Sequence, residues 1–598
     1  KQNHRIVPAG EWLLDNFYLI EEQVYTANKH LPKGYSKGLP QLAKGNSEGL
    51  PRVYDIAIEI LSHTDGRIDV NTLNGFITSY QKVTFLKLGE LWAIPIMLRL
   101  ALLENLRRLS TQIAINILNK SLADKWADDM TEAAEKDPKN LVLVIADMVR
   151  SNPPMDSSFV AELTRRLQGK GPSLALPLSW VEQNLSENGL TSTELVHLEN
   201  QRQAADQVSI SNSIGSLRFL NTTNWREFVE EQSIVEQILK KDPANVYSNM
   251  DFFTRDTYRH TVEKVSKHSS LSEQDVAKLV VKSAEKQTEQ ENHRLKHVGY
   301  YLVDKGLNQI EKIIKVKLPF SILCKKIFSS KPVFFYLTSI AIVALLCSWI
   351  MLHEAYTYLY KWKFLLLSVI SIIAVSQLAQ TIINWLATQL ANPALLPRMD
   401  YSKGIADDIH ALVVVPTLLT NIQDTEDLTE ALEVRFLANR DKNLHFALLT
   451  DFKDAPSESL PEDDNLIQLL SSKIIGLNKK YGSTNNELFF LFHRPRKLNV
   501  KEKIWMGYER KRGKLSNLNT LLKGNERDNF SVIIADESIF SKIKYVITLD
   551  TDTKLPRDTA WKMVGTMAHP LNHPFYSESK QRVTEGYAIL QPRVSNSL

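Results

Sequence analysis

Cysteine is nearly absent. The 598 residues hold two, Cys324 and Cys347, far too few for a disulfide framework. Cys347 sits in an apolar run and reads as a small buried hydrophobe rather than a reactive thiol. An excess of one charge is missing too: 72 Lys and Arg against 68 Asp and Glu leave a formal net charge of +4. No basic tract is interleaved with aromatic residues, so nothing indicates a nucleic-acid partner. There is no fixed-period repeat to support a solenoid, and no amino-terminal signal peptide is visible. What is present is a globular apolar content, 43%, in a chain with room for several domains.

One long run stands out. Val333–Leu352 carries no charge and reaches the roughly 20 residues needed to span a bilayer. Phe364–Ala387 is a second such run, containing Gln377, Gln380 and Asn384, which suit a face packed against other helices. The short connection between the runs predicts a helical hairpin. Lys317, Lys325, Lys326, Lys331, Arg398 and Lys403 flank its outer ends, whereas the connection holds only Lys361 and Lys363. The positive-inside rule then expects both soluble parts in the cytoplasm. The rival reading is a buried hairpin of a soluble protein. Leu91–Leu103 is weaker, interrupted by Pro95 and Arg99, and reads as a core or interfacial helix.

Residues 1–320 show helical periodicity. Trp12, Leu13, Phe17, Ile20 and Val24 fall on one stripe, and Ser272 is a plausible helix N-cap ahead of Asp275. The polar stretch Leu198–Ser216 reads as a connection or the end of a helical block. His293 and His297 have an i, i+4 spacing that could hold a metal. With no third ligand, a polar helix face or a satisfied core histidine is the simpler reading. This half is assigned no chemistry, only support of the rest or guidance of a product.

Beyond residue 405 the pattern changes. His410–Thr420, Leu444–Phe452, Glu487–Pro495, a run ending at Leu549, and Gly586–Val594 read as strands. Asp424–Arg440 reads as a helix with Leu428, Leu432, Phe436 and Leu437 on one face. Alternating strands and helices predict an α/β fold with a largely parallel sheet. Pro416-Thr417, Asp451 and Asp550-Thr551-Asp552 then fall at strand ends along one edge, where open α/β sheets bind ligands. Paired carboxylates favour a hard divalent cation, which in turn can hold a diphosphate. Taken alone, an Asp-X-Asp could equally be a solvated acidic turn.

The wording of the motifs goes further. KRGKLSNLN followed by YVITLDTDT resembles the Lys-X-Gly…Leu-Asn and Asp-X-Asp pair of processive, GT-A-type glycosyltransferases. PTLLT, EVRFLANRDKNLHFALLTDF, FLFHRPRKLN, WMGYERKRGKLSNLN, VITLDTDTKLPRD and GTMAHPLNHP resemble the glycosyltransferase region of cyclic β-1,2-glucan synthases. In the amino-terminal half PAGEWLLDNFYLIEEQV, RDTYRHTVEKVS and HVGYYLVDKG are similar too. The resemblance implies a mixed architecture: an α-helical region (1–320), a transmembrane helical hairpin (333–387), and an incomplete α/β GT-A-type glycosyltransferase domain (405–598). It implies an inverting, metal-dependent transfer of glucose from UDP-glucose to a growing, protein-linked β-1,2-glucan. The setting implied is multi-pass in the bacterial inner membrane, with membrane lipid around the hairpin and the soluble regions cytoplasmic.

Roles follow residue by residue. Pro416 and Thr417 should border the uridine, and Asp451 should accept hydrogen bonds from base or ribose. Lys511 matches the lysine that meets the diphosphate; Arg512 and Lys514 could add charge there or lie solvated. Asp550 and Asp552 should hold Mg²⁺ or Mn²⁺. Gln591 is a candidate for the acceptor channel. A protein-linked glucan needs a side-chain hydroxyl, for which Tyr481 on a polar loop is the first choice and Tyr576 the second. Tyr508 is read as packed. In related enzymes a catalytic base and a Gln-X-X-Arg-Trp motif follow the Asp-X-Asp. Neither is found after Asp552, and the chain begins with Lys1, so it reads as a fragment expected to have little transferase activity alone. The rivals are another processive membrane β-glucan synthase and an inactive, membrane-anchored glucan-binding scaffold.

Overall fold

A computed structural model describes residues 7–31, 34–45, 47–187, 189–286, 293–317, 319–353, 358, 360–390, 395–482, 487–525 and 527–593. The chain forms two compact units, Lys1–Gln237 and Ile238–Leu598.

The first unit is built of helices around Leu88–Lys136, which runs for 49 residues. The interrupted run Leu91–Leu103 lies inside it and is core: Leu91, Ile94, Leu98 and Leu102 are buried. Arg99 is buried with them and donates to Gln23 at 2.6 Å. Leu198–Ser216 is not a connection; it lies within the helix Ser192–Thr222. Its polar residues have local partners, since Ser209 and Ser213 accept from Asn105 at 3.4 and 3.1 Å and Ser216 donates to the Gly66 carbonyl at 2.7 Å. The expected amino-terminal stripe is broken. Helices Pro8–Asp15 and Phe17–His30 meet at Asn16, which resets the phase, so Leu19, Gln23 and Ala27 are buried while Trp12, Phe17 and Val24 are exposed.

In the second unit, Ser272 caps Glu273–Glu285 by accepting the Asp275 amide at 3.2 Å. His297 is a satisfied core histidine. It is fully buried, with Nδ1 2.8 Å from Asp242 Oδ2 and Nε2 3.2 Å from Tyr258 Oη. The His293 side chain lies outside the described residues.

The two apolar helices are Pro332–Leu352 and Lys361–Leu390, with mean hydropathy 2.2 and 2.0; both are long and apolar enough to cross a membrane. They pack antiparallel, Tyr336 near the start of one donating to Asn384 near the end of the other at 2.7 Å. Ala344, Ser348 and Leu352 are buried on the first and Ser371, Val375 and Ala379 on the second, a contact of mostly small side chains. Gln377 and Gln380 are exposed rather than on that face. Only 11% and 17% of the two spans are buried, which is not how a hairpin in a soluble core packs.

Chain segments on either side of the hairpin are fastened together. Arg398 donates to Asp251 at 2.8 Å, the Asp400 amide to the Asn249 carbonyl at 2.9 Å, and His569 Nε2 lies 3.1 Å from the Met250 sulfur.

The sheet contains β1 (His410–Leu419), β2 (Leu444–Phe452) and β3 (Phe489–Arg494), then, after the small hairpin β4 (Lys497–Asn499) and β5 (Ile504–Met506), β6 (Val532–Ile534) and β7 (Ile543–Thr548). The order is β6-β3-β2-β1-β7; β6 is antiparallel to β3 and the other pairs are parallel. Helices cover both faces, which explains the near-continuous apolar runs. Ala411, Val413 and Val415 join one core with helices Ile422–Ala438 and Asp463–Tyr481, whereas Leu412 and Val414 join another with Arg510–Leu522. The expected strand over Gly586–Val594 does not form. Its described residues are irregular: Gly586 takes a φ of 68° and Tyr587 bonds back to the Asn572 carbonyl at 2.9 Å. The nearest strands are the small antiparallel pair β8 (Phe575–Ser577) and β9 (Arg582–Glu585). Because β2 lies on one side of β1 and β7 on the other, the strand order reverses at β1, and the crevice at its carboxyl end is where this topology seats a ligand.

Candidate functional site

Seven of the predicted positions lie at that crevice: Pro416, Thr417, Asp451, Lys511, Lys514, Asp550 and Asp552. Pro416 lies within β1, which runs on to Leu419. The Val414 carbonyl accepts from Leu549 at 3.0 Å, so the Pro416 nitrogen, two residues on, faces the side where β7 has ended. A missing N–H costs no ladder bond there. The next carbonyl, of Thr417, accepts from Lys514 Nζ at 2.6 Å.

Lys514 and Asp451 are both buried, 3.2 Å apart. Arg494 forks onto Asp451, Nε to Oδ1 at 2.8 Å and Nη2 to Oδ2 at 2.9 Å. Its other donors reach Asn517 at 2.7 Å and the Tyr508 carbonyl at 3.2 Å. Asp451 is therefore neither an exposed loop acid nor a free acceptor; it is the shared counter-charge of two buried cations. Burial pulls the Lys514 ammonium below the ordinary lysine range, against the opposing pull of Asp451.

The same arginine braces the turn that presents Lys511. Glu509 and Arg510 have φ of 53° and 49°, a left-handed conformation unfavourable for side-chain-bearing residues. Gly513 is required by close approach: a Cβ there would run into the Tyr508 carbonyl and stand 2.9 Å from Glu509 Cβ. From this turn Lys511 forms an ion pair with Asp550, so the two motifs, 39 residues apart in sequence, are in direct contact.

The Asp-X-Asp loop is fixed from behind. Arg435, in the last turn of Ile422–Ala438, donates to the carbonyls of Thr551 at 2.7 Å and Thr553 at 3.0 Å. Asn439 accepts the Ala560 amide at 3.0 Å, and the Asp558 amide donates to the Ala438 carbonyl at 3.2 Å. Asp550 and Asp552 point outward and are exposed. Among the described residues no three His, Cys, Asp or Glu side chains group as a metal site. Two carboxylates are nonetheless what Mg²⁺ takes from a protein when substrate phosphates and water complete its shell, so the donor set fits.

No family model matches the chain. It is 31% identical over 602 residues to the cyclic beta-(1,2)-glucan synthase NdvB of Rhizobium meliloti (strain 1021), an alignment that takes in 99% of this chain and 21% of that enzyme. This chain is a partial homologue of that synthase. It spans about a fifth of the synthase's length.

The remaining positions expected of a glucan synthase lie elsewhere. Arg512 is solvated and pairs with Glu509 at 3.3 Å. Gln591 is exposed on irregular chain. Tyr481 is not on a loop: it ends the helix Asp463–Tyr481, donates to Glu433 at 2.6 Å, and packs against Phe436 and Phe489. Phe489 opens β3, so Tyr481 sits at the amino end of the strands, the edge opposite the crevice. Tyr576 is on β8 and exposed, and Tyr508 is exposed rather than packed. Arg435 and Arg494 escaped the sequence reading. The available signal was their position: Arg435 stands three residues after Leu432 on the apolar stripe, and Arg494 ends a strand that opens with four apolar residues.

Proposed function

We propose that residues 405–598 form the donor side of a GT-A-type site that transfers glucose from UDP-glucose to a growing β-1,2-glucan with inversion at the anomeric carbon. The contact between Lys511 and Asp550 at the strand-reversal crevice carries this reading, and the likeness to a cyclic glucan synthase supplies the sugar and linkage. Asp550 and Asp552 would hold Mg²⁺ or Mn²⁺, which supplies Lewis-acid stabilisation of a leaving diphosphate. The acceptor hydroxyl oxygen bonds to the anomeric carbon, the bond from that carbon to UDP breaks, and the hydroxyl proton passes to a base. Lys511, half exposed in a surface pair worth about 0–1 kcal/mol, is free to exchange Asp550 for the diphosphate. Buried Asp451, Arg494 and Lys514 form a preset charged floor under the nucleoside, edged by Thr417.

Tyr576 suits attachment of a protein-linked glucan better than Tyr481, since its hydroxyl is not engaged in a helix-to-helix bond. The two apolar helices would cross the inner membrane in contact with lipid, leaving the sheet in the cytoplasm with its nucleotide sugar. The test is binding of UDP with Mn²⁺ to the whole chain in detergent. Asp552→Asn should weaken it at least tenfold with an unchanged melting temperature. Equal affinity in the two proteins would rule out the metal role.

A further inference from the structure

Arg435 is a cation with no obvious reason to be where it is. It is 6% exposed and makes no ion pair among the described residues, a costly condition for a guanidinium. Instead its planar fork is spent on one short loop: Nη2 lies 2.7 Å from the Thr551 carbonyl and 3.0 Å from that of Thr553, and Nε 3.3 Å from the latter. Those carbonyls flank Asp552, the charged group whose field reaches the guanidinium. Its place in the last turn of a helix adds a favourable interaction with the helix carboxyl end.

We propose that Arg435 is a positioning residue for Asp550 and Asp552: an internal counter-charge that holds the acidic loop in one shape before nucleotide and metal arrive. Two adjacent carboxylates repel, and an exposed loop bearing both would otherwise spread. Lys511 offsets Asp550 from the front; Arg435 does so for Asp552 from behind, through backbone carbonyls, without occupying the carboxylate oxygens a ligand needs. A lysine cannot reproduce this, because its point charge lacks the planar fork that spans two carbonyls. The inference rests on the donor-site reading given above.

Two readouts on the whole chain test it. The first is amide hydrogen exchange. The Thr553 amide bonds to the Asp550 carbonyl at 3.1 Å within the loop, while the Leu549 amide bonds to Val414 in the sheet at 3.0 Å and serves as an internal control. Arg435→Met should speed exchange at Thr553 about tenfold or more and leave Leu549 unchanged. The second is binding of Mn²⁺ with UDP, expected to weaken about tenfold or more in Arg435→Met, since charge-assisted hydrogen bonds are lost. Arg435→Lys should restore part of the binding but little of the Thr553 protection. Unchanged exchange at Thr553, or binding within twofold of the parent, overturns the proposal. Faster exchange at both amides also overturns it, by making Arg435 a residue of the fold in general. If the parent binds no Mn²⁺ with UDP while Arg435→Met still loosens Thr553 alone, the donor-site reading fails and the clamp stands.

Discussion

Arg494→Met should loosen the Lys511 turn without unfolding the sheet. Methionine fills much of the same volume, so packing is largely retained and the charge and its bonds are lost. Removing one partner of a buried ion pair typically costs about 3–5 kcal/mol. Here Lys514 remains 3.2 Å from Asp451 and still neutralises it, which places the cost near the lower figure, about 3 kcal/mol. The turn's share is the lost charge-assisted bond to the Tyr508 carbonyl, which helps hold Glu509 and Arg510 left-handed and is worth up to about 3 kcal/mol. About 3 kcal/mol is roughly a hundredfold in the open population. The turn carries its own reporter in Arg510, Lys511, Arg512 and Lys514, each a tryptic site. At low trypsin, cleavage follows the open population, so cutting between residues 510 and 515 should accelerate about a hundredfold while the melting of β1–β3 shifts little. A cutting rate within threefold of the parent would refute the assignment of Arg494 as the brace.

Stability of the second unit should fall in acid. Burial pushes His445 and His493 down to about 4; the unfolded chain takes up these protons near 6.5, so the native state is favoured above 6.5 and loses about 3 kcal/mol from each as pH falls to 4. Thermal melts from pH 7 to 4.5 should show this loss, shallower in His493→Gln, and identical profiles for the two would defeat it. In a cysteine-free background, cysteines at Tyr358 and Lys403 should label from opposite faces of the membrane; labelling from one face rules out a spanning hairpin. Tyr481→Phe should leave protein-bound glucan unchanged at a stability cost of about 1 kcal/mol, whereas Tyr576→Phe should remove it, as judged by mass spectrometry of glycosylated peptides.

Much of the second unit was legible because its features are continuous in sequence. β1, β2 and β3 are built on runs of apolar residues, β7 on the shorter Tyr545–Ile547, and both apolar helices are uninterrupted for longer than a core strand or short helix allows. Asp550 could be placed at one edge because parallel topology sends strand ends there, whereas Lys511, in the first turn of a helix, was placed beside it only by the resemblance of its motif. The misses share a cause. Arg435 and Arg494 look like surface charges in one dimension, since what makes them internal is a partner 116 or 118 residues away for the first and 43 for the second. Tyr481 was misread because a polar stretch follows it, although the helix runs up to it and stops at Gly482. The run after Gly586 has strand composition, but a backbone bond to Asn572 takes the place of a ladder.

The fastening of Asp251 to Arg398 has a consequence for biosynthesis. The two residues are 147 positions apart, and everything between them, both apolar helices included, must leave the ribosome before the pair can close. His569 reaches Met250 later still, across 319 positions. The helical segment around Met250 therefore waits, unlatched, while the most aggregation-prone part of the chain emerges. If the apolar helices cross a membrane as proposed, their insertion precedes closure of both contacts. A substitution that stalls the hairpin would then be recorded as loss of the proposed donor site although no residue of that site was touched.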